Sequence, residues 1–545
     1  MAKKSGWCGL VPCMMLWVLT VIGGLFYLHV KLEGRHQQQL QDITHSNAAS
    51  RLLRGEEDTT GKSSSAKAKS EKQEPTALPH TAAPYPRGHW RNYHWEDNSK
   101  RPVPNPDEIE IRSEAPDILP GADEAHMHGR LGLDAAGECC KVAMEPVPWR
   151  MSSDERKDAH RGFCFNSRVS ASVSVDRVQS DQRTWGCQAR HKKYPTDLPD
   201  ASVVMVFHNE HFHTLIRSLH SVLNHSPPHL LREILLLDDV SMYDDDRFYK
   251  SHWDRLQDEL TEYCKALPKV RLVRLKVRRG LMLARMEGAW RSKGWMTIFL
   301  DSHIETTPGW MEPLLARVAE DPTRVVVPSI DGIGADDLRY SLGGGLSVLS
   351  FTWTLGQKPL GRDRSDDAVR SPVMAGGLFG GNTEYFLYLG GYDPEMRLYG
   401  GEEMEIGFRT WQCGGSIEHI PCSHVGHIFR TGRYWQGQVY RVPGEEIVRN
   451  KLRAAEVWMD DYKELVKLAS MKLPDSMSIE PLSERQQLRE KLKCKNFQWF
   501  LDNVATEVQA PSLSDLGGRS GALRNKGTNG CIDTLGEERR GGALG

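Results

Sequence analysis

From Ala201 onward, short apolar segments alternate with amphipathic segments, and this alternation limits the possible folds more than any other feature of the chain. The predicted strands are Ala201–Phe207, 233–237, 270–276, 297–300 and 325–330. The predicted helices lie at the helically spaced Leu215, Leu219 and Val222, at 283–292 and at 309–319. Strands that alternate with helices indicate an α/β fold with a mainly parallel sheet flanked by helices on both faces.

The predicted strands end in clusters of polar residues, namely His208-Asn209-Glu210, Asp238-Asp239 and Asp301-Ser302-His303. Ligands of open α/β sheets bind beyond the carboxyl ends of the strands. Asp301 and His303 are two residues apart on an extended chain, so their side chains point the same way and can share one ligand. A carboxylate with an imidazole suits a divalent cation such as Mn²⁺. An Asp-Ser-His turn that merely ends a strand is the alternative, and these residues alone leave both open.

The amino-terminal residues indicate the cellular compartment. Lys3 and Lys4 precede residues 7–30, which contain no charged residue and are long enough to span a bilayer. No small-residue cleavage site follows, so we predict an uncleaved signal anchor with the body of the protein in an oxidising lumen. A cleaved signal peptide is the alternative. The formal net charge of −2 gives no indication of a nucleic-acid partner.

Residues 31–133 are predicted to form a flexible stem, because they are polar, rich in proline and partly of low complexity. Trp90, Tyr93 and Trp95 are its only concentrated aromatic residues and are candidates for docking on the body. The 11 cysteines show no paired CxxC spacing that would indicate zinc. The sequence leaves open the pairing of Cys139, Cys140, Cys164 and Cys264.

Several motifs within residues 165–494 resemble, in order and spacing, those of the polypeptide N-acetylgalactosaminyltransferases. They are Phe207-His208-Asn209-Glu210, Asp301-Ser302-His303, Met374-Ala375-Gly376-Gly377-Leu378-Phe379, Gly400-Gly401-Glu402, Trp411-Gln412-Cys413-Gly414-Gly415, Pro421-Cys422-Ser423-His424-Val425-Gly426-His427 and Ala454-Ala455-Glu456-Val457-Trp458. The resemblance implies a GT-A fold and a single-pass type II protein of the Golgi membrane. It also implies retaining transfer of GalNAc from UDP-GalNAc to Ser or Thr hydroxyls of polypeptides.

The resemblance further implies roles for individual residues. The Mn²⁺ ligands would be Asp301, His303 and His427, and the cation would neutralise the diphosphate leaving group. The residues implied to bind the nucleotide and the sugar are His208, Asp239, Arg278, Gly376, Gly377, Tyr399 and Arg430. Glu402 and Arg430 would be catalytic, although Glu402 could instead only complement a helix dipole.

The acceptor polypeptide would lie in a groove formed by Phe351, Trp353 and Tyr434. The resemblance also implies two disulfides, Cys187 with Cys422 and Cys413 with Cys494. Each would join segments that are distant in sequence.

The chain departs from the family pattern on the sugar and acceptor sides. Tyr399 replaces a Trp before Gly-Gly-Glu, and an Arg-Glu-Gly-Leu-x-Arg pattern becomes Arg278-Arg279-Gly280-Leu281-Met282-Leu283, which loses a charge pair. A Phe-Asp-Trp element aligns with Leu346-Ser347-Val348, and the segment after Arg430 also differs. Three readings therefore remain: an active transferase, a weakened or inactive member that binds glycoprotein clients or partner transferases, and a transferase for another UDP-sugar.

The sequence divides into segments of different expected character. The predicted domains are a cytoplasmic tail (1–6), a transmembrane signal anchor (7–30), a flexible luminal stem (31–133), an extension packing on the catalytic domain (134–200), a GT-A catalytic domain (201–475), a linker (476–510) and the truncated start of a β-trefoil lectin domain (511–545). A trefoil core requires all of its repeats, so we expect that residues 511–545 do not fold as a lectin.

Overall fold

The computed structural model describes residues 90, 94–97, 108–117, 151–242, 250–343, 348–361, 365–430 and 442–511. Its strands are β1 (Ile109–Arg112), β2 (Ala201–Phe207), β3 (Leu231–Asp238), β4 (Val270–Arg274), β5 (Met296–Asp301), β6 (Ile304–Thr306), β7 (Arg324–Ile333), β8 (Tyr340–Ser341), β9 (Leu349–Phe351), β10 (Gln357–Pro359), β11 (Val369–Arg370), β12 (Phe379–Asn382) and β13 (Ser416–Ile428). Its α-helices are α1 (Ser153–His160), α2 (Ser167–Ser172), α3 (Trp185–His191), α4 (Phe212–His225), α5 (Lys250–Asp254), α6 (Leu260–Ala266), α7 (Leu281–Arg291), α8 (Met311–Glu320), α9 (Thr383–Tyr388), α10 (Glu402–Gln412), α11 (Gly444–Trp458), α12 (Lys463–Ala469), α13 (Ser483–Lys491) and α14 (Phe497–Asn503).

The described strands form an 11-stranded sheet with the order β1-β4-β3-β2-β5-β12-β7-β13-β11, while β6 pairs with β13 and β8 with β7. The predicted parallel arrangement is confirmed for β4-β3-β2-β5. The prediction of a mainly parallel sheet is nevertheless wrong for the whole, because β12 runs antiparallel to β5 and β7, and β1 runs antiparallel to β4. The sheet is mixed. Strand β12 was missed because its two glycines give a weak strand signal.

Helices cover both faces of the sheet, and this explains why the central strands are almost continuously apolar. In β2, Val203 and Met205 belong to one buried hydrophobic cluster with residues of α4 and α8. Val204 points to the other face, where it packs with residues of α7, α10 and α11. Helix α7 approaches β2 closely, because a Cβ added at Gly288 would lie 2.4 Å from a Val204 methyl group.

Part of the predicted stem belongs to this sheet. Strand β1 pairs with β4, and Glu110 lies 3.0 Å from the guanidinium of Arg271. Trp90 packs edge-on against Trp295 with 5.3 Å between ring centroids, and Trp95 packs against the main core. The predicted docking of Trp90 and Trp95 is therefore confirmed. The prediction of a flexible stem through residue 133 is wrong for the described residues, because alternating isoleucines and ion-paired side chains allow β1 to complete the edge of the sheet.

The predicted linker, residues 476–510, packs as part of the body. Phe497 and Phe500 of α14 are fully buried against Phe351 and Phe408. The boundary predicted at residue 475 is thus not a boundary of the packed core. The buried aromatic rings hold these residues on the body, whereas the polar residues around the rings led to the prediction of a linker.

Two disulfides hold distant segments on the body, and both pairings are confirmed. Cys187 of α3 is bonded to Cys422 of β13, and Cys413 after α10 is bonded to Cys494 before α14. Cys264 is a buried free thiol, and the predictions for Cys139 and Cys140 lie outside the described residues.

Among the helices of the described residues, none has the length and apolar composition needed to cross a bilayer. The predicted anchor at 7–30 falls outside the described part of the chain, as does the predicted lectin start at 511–545 except for its first residue. The same is true of Tyr434 and of Leu346-Ser347.

Candidate active site

The site is built around the carboxyl end of β5. Asp301 ends that strand, and His303 follows in the turn to β6. Strand β13 pairs with β6 so that His427 lies opposite Ile304, and the Ile428 amide donates to the His303 carbonyl at 3.1 Å. This register brings His427 beside two residues that precede it by more than a hundred positions. The prediction that these residues converge is confirmed.

Asp301, His303 and His427 can hold one metal ion. One ligand atom from each lies within 4.8 Å of the others. His427 Nε2 lies 3.2 Å from Asp301 Oδ2, and the two imidazole centroids are 4.7 Å apart. Burial alone raises the pKa of Asp301, but the hydrogen bond from His427 and the charge of Arg285 outweigh it, so the pKa is lowered. An ionised oxygen and two imidazole nitrogens fit a divalent transition-metal ion with open positions for other ligands.

Glu210 supports this group of ligands, and the sequence had suggested only a polar strand end there. Its Oε2 accepts hydrogen bonds from His303 Nδ1 at 3.0 Å, from Arg430 at 2.7 Å and from the Ser302 hydroxyl at 3.1 Å. Its Oε1 accepts from the His211 amide at 2.9 Å. Burial alone raises the pKa of Glu210, yet Arg430 and His303 lower it to about 2. With Nδ1 of His303 donating to Glu210, the Nε2 atom stays available for a metal.

Arg285 is the second residue that the sequence analysis missed. This fully buried side chain of α7 donates to Asp301 Oδ1 at 2.9 Å and to the carbonyls of Gly376 and Gly377 at 2.5 and 2.7 Å. It therefore fixes the glycine segment against the carboxylate of Asp301. A Cβ at Gly377 would lie 2.7 Å from Asp301 Oδ2, so glycine is required for this approach. The position of this arginine on the apolar face of a predicted helix is the sequence signal that could have indicated its role.

The predicted nucleotide side of the site is a loop that folds over the side chain of Asp239. The backbone amides of Arg279 and Gly280 donate to its two carboxylate oxygens at 2.7 and 2.8 Å. Burial raises the pKa of Asp239, and these hydrogen bonds partly oppose the rise. His208 Nδ1 lies 2.9 Å from the Asp239 carbonyl, and burial followed by the charge of Arg278 lowers the pKa of His208. The structure thus brings the predicted His208, Asp239 and Arg278 together.

The predicted sugar side lies at the amino end of α10. Glu402 is buried, and its Oε2 accepts from the Gly400 amide at 2.6 Å. Burial and the adjacent Glu403 raise the pKa of Glu402. A Cβ at Gly376 would lie 3.9 Å from Glu402 Oε1, so the two predicted residues are neighbours. Tyr399 is close in sequence but 45% exposed, at the rim of this region.

The predicted acceptor residues are not equally accessible. Phe351 is 2% exposed and lies in the aromatic cluster formed with Phe408 and α14. Its ring therefore supports the core and offers no surface for a groove. Trp353 is half-buried, stacks on Tyr462 at 6.1 Å and donates its Nε1 hydrogen to the Gln509 carbonyl at 3.3 Å. Sequence spacing could not reveal that the carboxyl-terminal segment covers these two rings.

Comparisons with known proteins agree with this geometry. The family model described as "Glycosyl transferase family 2" matches residues 202–386, and that described as "N-terminal domain of galactosyltransferase" matches residues 362–433. The chain is 39% identical over 424 residues to polypeptide N-acetylgalactosaminyltransferase 13 of Rattus norvegicus, which covers 74% of this chain and 71% of the relative. It is 40% identical over 411 residues to polypeptide N-acetylgalactosaminyltransferase 3 of Taeniopygia guttata, covering 72% of this chain and 64% of the relative.

A solved structure described as "Crystal structure of GalNAc-T7 with UDP, GalNAc and Mn2+" superimposes with a TM-score of 0.58 at 31% identity, covering 79% of this chain and 78% of that chain. The mixed sheet flanked by helices is accordingly a GT-A glycosyltransferase fold. By sequence identity, coverage and fold, the chain belongs to the polypeptide N-acetylgalactosaminyltransferase family.

Proposed function

We propose that this protein transfers GalNAc from UDP-GalNAc to Ser or Thr hydroxyls of polypeptides, with retention of the anomeric configuration and with Mn²⁺ as cofactor. The observation that carries the proposal is the convergence of Asp301, His303 and His427 beside the glycine segment held by Arg285. A nucleotide-sugar transferase needs a cation site and a close backbone approach to the sugar within one rim of the sheet.

On the donor side, Asp301, His303 and His427 would hold Mn²⁺, which neutralises negative charge on the diphosphate leaving group. Arg430 extends from the end of β13 toward the same place and would contact a diphosphate oxygen. Glu210 holds that guanidinium at 2.7 Å, so its position is set before the donor binds. On the nucleotide side, Asp239 would accept a hydrogen bond from the ribose, because a carboxylate has more lone pairs than the two amide donors use.

On the sugar side, Gly376 and Gly377 would let the backbone approach the GalNAc ring. Glu402 is the proposed catalytic carboxyl. Burial and Glu403 raise its pKa, so that it holds a proton more readily than an exposed glutamate and can donate a hydrogen bond to a sugar hydroxyl. We propose His208, Arg278 and Tyr399 as further donor contacts, and Trp353 and Tyr434 as acceptor contacts.

We propose that the protein is a single-pass type II protein of the Golgi membrane, with the described residues in the lumen. The support is the uncharged segment at 7–30 together with the two disulfides, which suit an oxidising compartment.

A weakened or inactive member that binds glycoprotein clients or partner transferases is the second candidate. The burial of Phe351 favours it, since a predicted groove residue has no surface available for a peptide. The Tyr in place of Trp at position 399 favours it as well. The first feature concerns the acceptor and the second concerns the sugar. Neither alters the candidate metal ligands Asp301, His303 and His427, so the two candidates differ in transfer and agree in UDP binding.

The deciding experiment is a panel of UDP-sugars and Ser/Thr peptides, measured with and without Mn²⁺ on the purified full chain. The proposal expects Mn²⁺-dependent transfer from UDP-GalNAc that Asp301→Asn abolishes. Asp337→Asn is the matched control, because this carboxylate is 56% exposed and lies outside the site. Binding of UDP and Mn²⁺ without transfer to any peptide would favour the client-binding alternative. Absence of UDP and Mn²⁺ binding would overturn the proposed donor site itself.

A further inference from the structure

A chain of ion pairs connects the predicted stem to the nucleotide-side loop. Glu108, directly before β1, accepts a hydrogen bond from Arg291 at 2.6 Å. Arg291 also pairs with Glu287 one turn earlier on α7. The other oxygen of Glu287 lies 3.6 Å from the guanidinium of Arg279, whose backbone amide closes on Asp239. The charges of these four residues alternate in sign, and each residue lies within ion-pair distance of the next.

The members of this chain are shielded from water, so their interactions are screened less than those of surface pairs. The side chains of Glu108, Glu287 and Arg291 are only 7%, 4% and 15% exposed. Arg279 is 31% exposed, at the end that faces the site. Arg279 also occupies the position at which the family pattern Arg-Glu-Gly has an acidic residue. The charge pair lost there is replaced here by a pairing with Glu287.

Helix α7 links the two ends mechanically. Its first residue follows Gly280, whose positive φ of 79° and close contact with Leu398 leave little freedom for the loop to move by itself. Its last residue is Arg291, which Glu108 holds. Between them, Arg285 contacts Asp301 and the glycine segment. Helix α7 thus connects the residue held by Glu108 with both predicted sides of the site.

We propose that Glu108 is a positioning residue for the nucleotide side of the site, acting through Arg291 and Glu287 on Arg279 and its loop. This inference rests on the proposed function, since it assumes that the loop closed on Asp239 contacts the nucleotide. When Glu108 is neutral, Arg291 keeps Glu287 as its acidic partner and draws it away from Arg279. The guanidinium of Arg279 then loses its partner, and the loop that it anchors becomes less ordered around Asp239.

The test compares Glu108→Gln with Glu110→Gln in the full chain. Glu110 lies two residues further on, in β1, and is also ion-paired. Its partner Arg271 pairs with Glu233 as well, and it reaches Arg291 through the backbone carbonyl of that residue, not through its side chain. Both variants remove one negative charge from the same edge of the sheet, so any long-range effect of net charge is common to the two. Calorimetric titration with UDP in the presence of Mn²⁺ measures the affinity for UDP, and thermal unfolding measures the stability of each variant.

Glu108→Gln is expected to weaken UDP binding about threefold to tenfold, within the usual range for coupling through contacting residues. Glu110→Gln is expected to change it less than twofold while lowering the unfolding temperature to a similar extent. In steady-state kinetics, Glu108→Gln is expected to raise the KM for the UDP-sugar without changing the KM for the peptide. A loss of stability without a change in UDP affinity would show that Glu108 is only structural, and would overturn the inference.

A double-mutant cycle tests the route of the coupling. Arg279→Gln is expected to weaken UDP binding, and adding Glu108→Gln to it is expected to have little further effect. Fully additive effects would overturn the proposed route. Glu287→Gln tests the middle of the chain independently, and keeps the inference testable if Glu108→Gln fails to fold. Failure of the wild-type protein to bind UDP would instead refute the proposed function, so the two failures are distinguishable.

Discussion

Replacing Glu210 by Gln is expected to weaken Mn²⁺ binding without removing any metal ligand. In the wild-type protein, one carboxylate oxygen accepts hydrogen bonds from His303, Arg430 and Ser302, while the other accepts from the backbone amide of His211. A glutamine has one acceptor oxygen and one amide group that donates. Whichever way the amide is turned, its NH₂ faces at least one donor, and the negative charge is lost.

The expected magnitude follows from these contacts. A hydrogen bond to a charged group contributes about 1.5–3 kcal/mol. Loss of a side chain that orients a metal-ligating histidine lowers metal affinity about 10- to 100-fold, which corresponds to about 1.4–2.8 kcal/mol. The two ranges agree, because the bond to His303 is the one that fixes the imidazole for the metal. Donor affinity is expected to fall too, since Arg430 loses its anchor.

Calorimetric titration of Mn²⁺, with and without UDP, measures this effect. Glu305→Gln is the matched control, because Glu305 is equally buried and pairs with Arg177 and Arg217 at 2.6 and 3.0 Å, yet does not contact a predicted metal ligand's side chain. We expect Glu305→Gln to lower stability and to leave Mn²⁺ affinity unchanged. Mn²⁺ affinity of Glu210→Gln within twofold of wild type, or an equal loss in Glu305→Gln, would refute the reasoning.

Three further predictions concern stability. Gly381→Ala is expected to raise the free energy of unfolding by about 0.5–1 kcal/mol in urea titrations, because its new methyl group meets no atom closer than 3.5 Å. Gly380→Ala is expected to lower the free energy of unfolding by about 1–3 kcal/mol, because a Cβ there lies 2.5 Å from a buried methionine methyl group. Burial, then a neighbouring guanidinium, lowers the pKa of His252 from 6.5 to about 4, so the folded protein binds fewer protons than the unfolded chain in that interval. Stability should fall as the pH drops from 6.5 to 4, by at most about 3 kcal/mol, and His252→Gln should flatten this part of the profile. Replacing both Cys413 and Cys494 by Ser is expected to lower stability by about 2–5 kcal/mol, since their bond closes a loop with a sequence separation of 81; an unchanged midpoint in oxidising buffer would contradict this.

The sequence predicted the α/β core well where its pattern was strong. Strand Ala201–Phe207 was predicted with the bounds that the structure has, because both of its faces are buried and its residues are almost all apolar. Strands β3, β4, β5 and β7 and helices α4, α7 and α8 were predicted to within a few residues. Helices α5 and α6 and the short strand β6, which lie between them, were not predicted. Strand β12 and strand β1 were not found, since glycine and charged residues conceal the strand pattern in short segments.

The sequence also predicted part of the site, where the local pattern was strong. Asp301 and His303 are neighbours in sequence, so their common direction follows from strand geometry. His427 and both disulfide pairings came from the family resemblance, and no local pattern could have supplied them. Glu210 and Arg285 were not assigned roles, because a buried charge becomes meaningful only when its partners are known.

The sequence by itself determined the alternation of strands and helices, the polar strand ends and the motifs that mark the family, because these depend on local periodicity and residue chemistry. The tertiary structure alone decided which distant groups meet. It placed His427 beside Asp301 through the register of β13, buried Phe351 under α14, and joined Glu108 to the loop at Arg279. These contacts depend on packing across the whole chain, which local sequence does not encode.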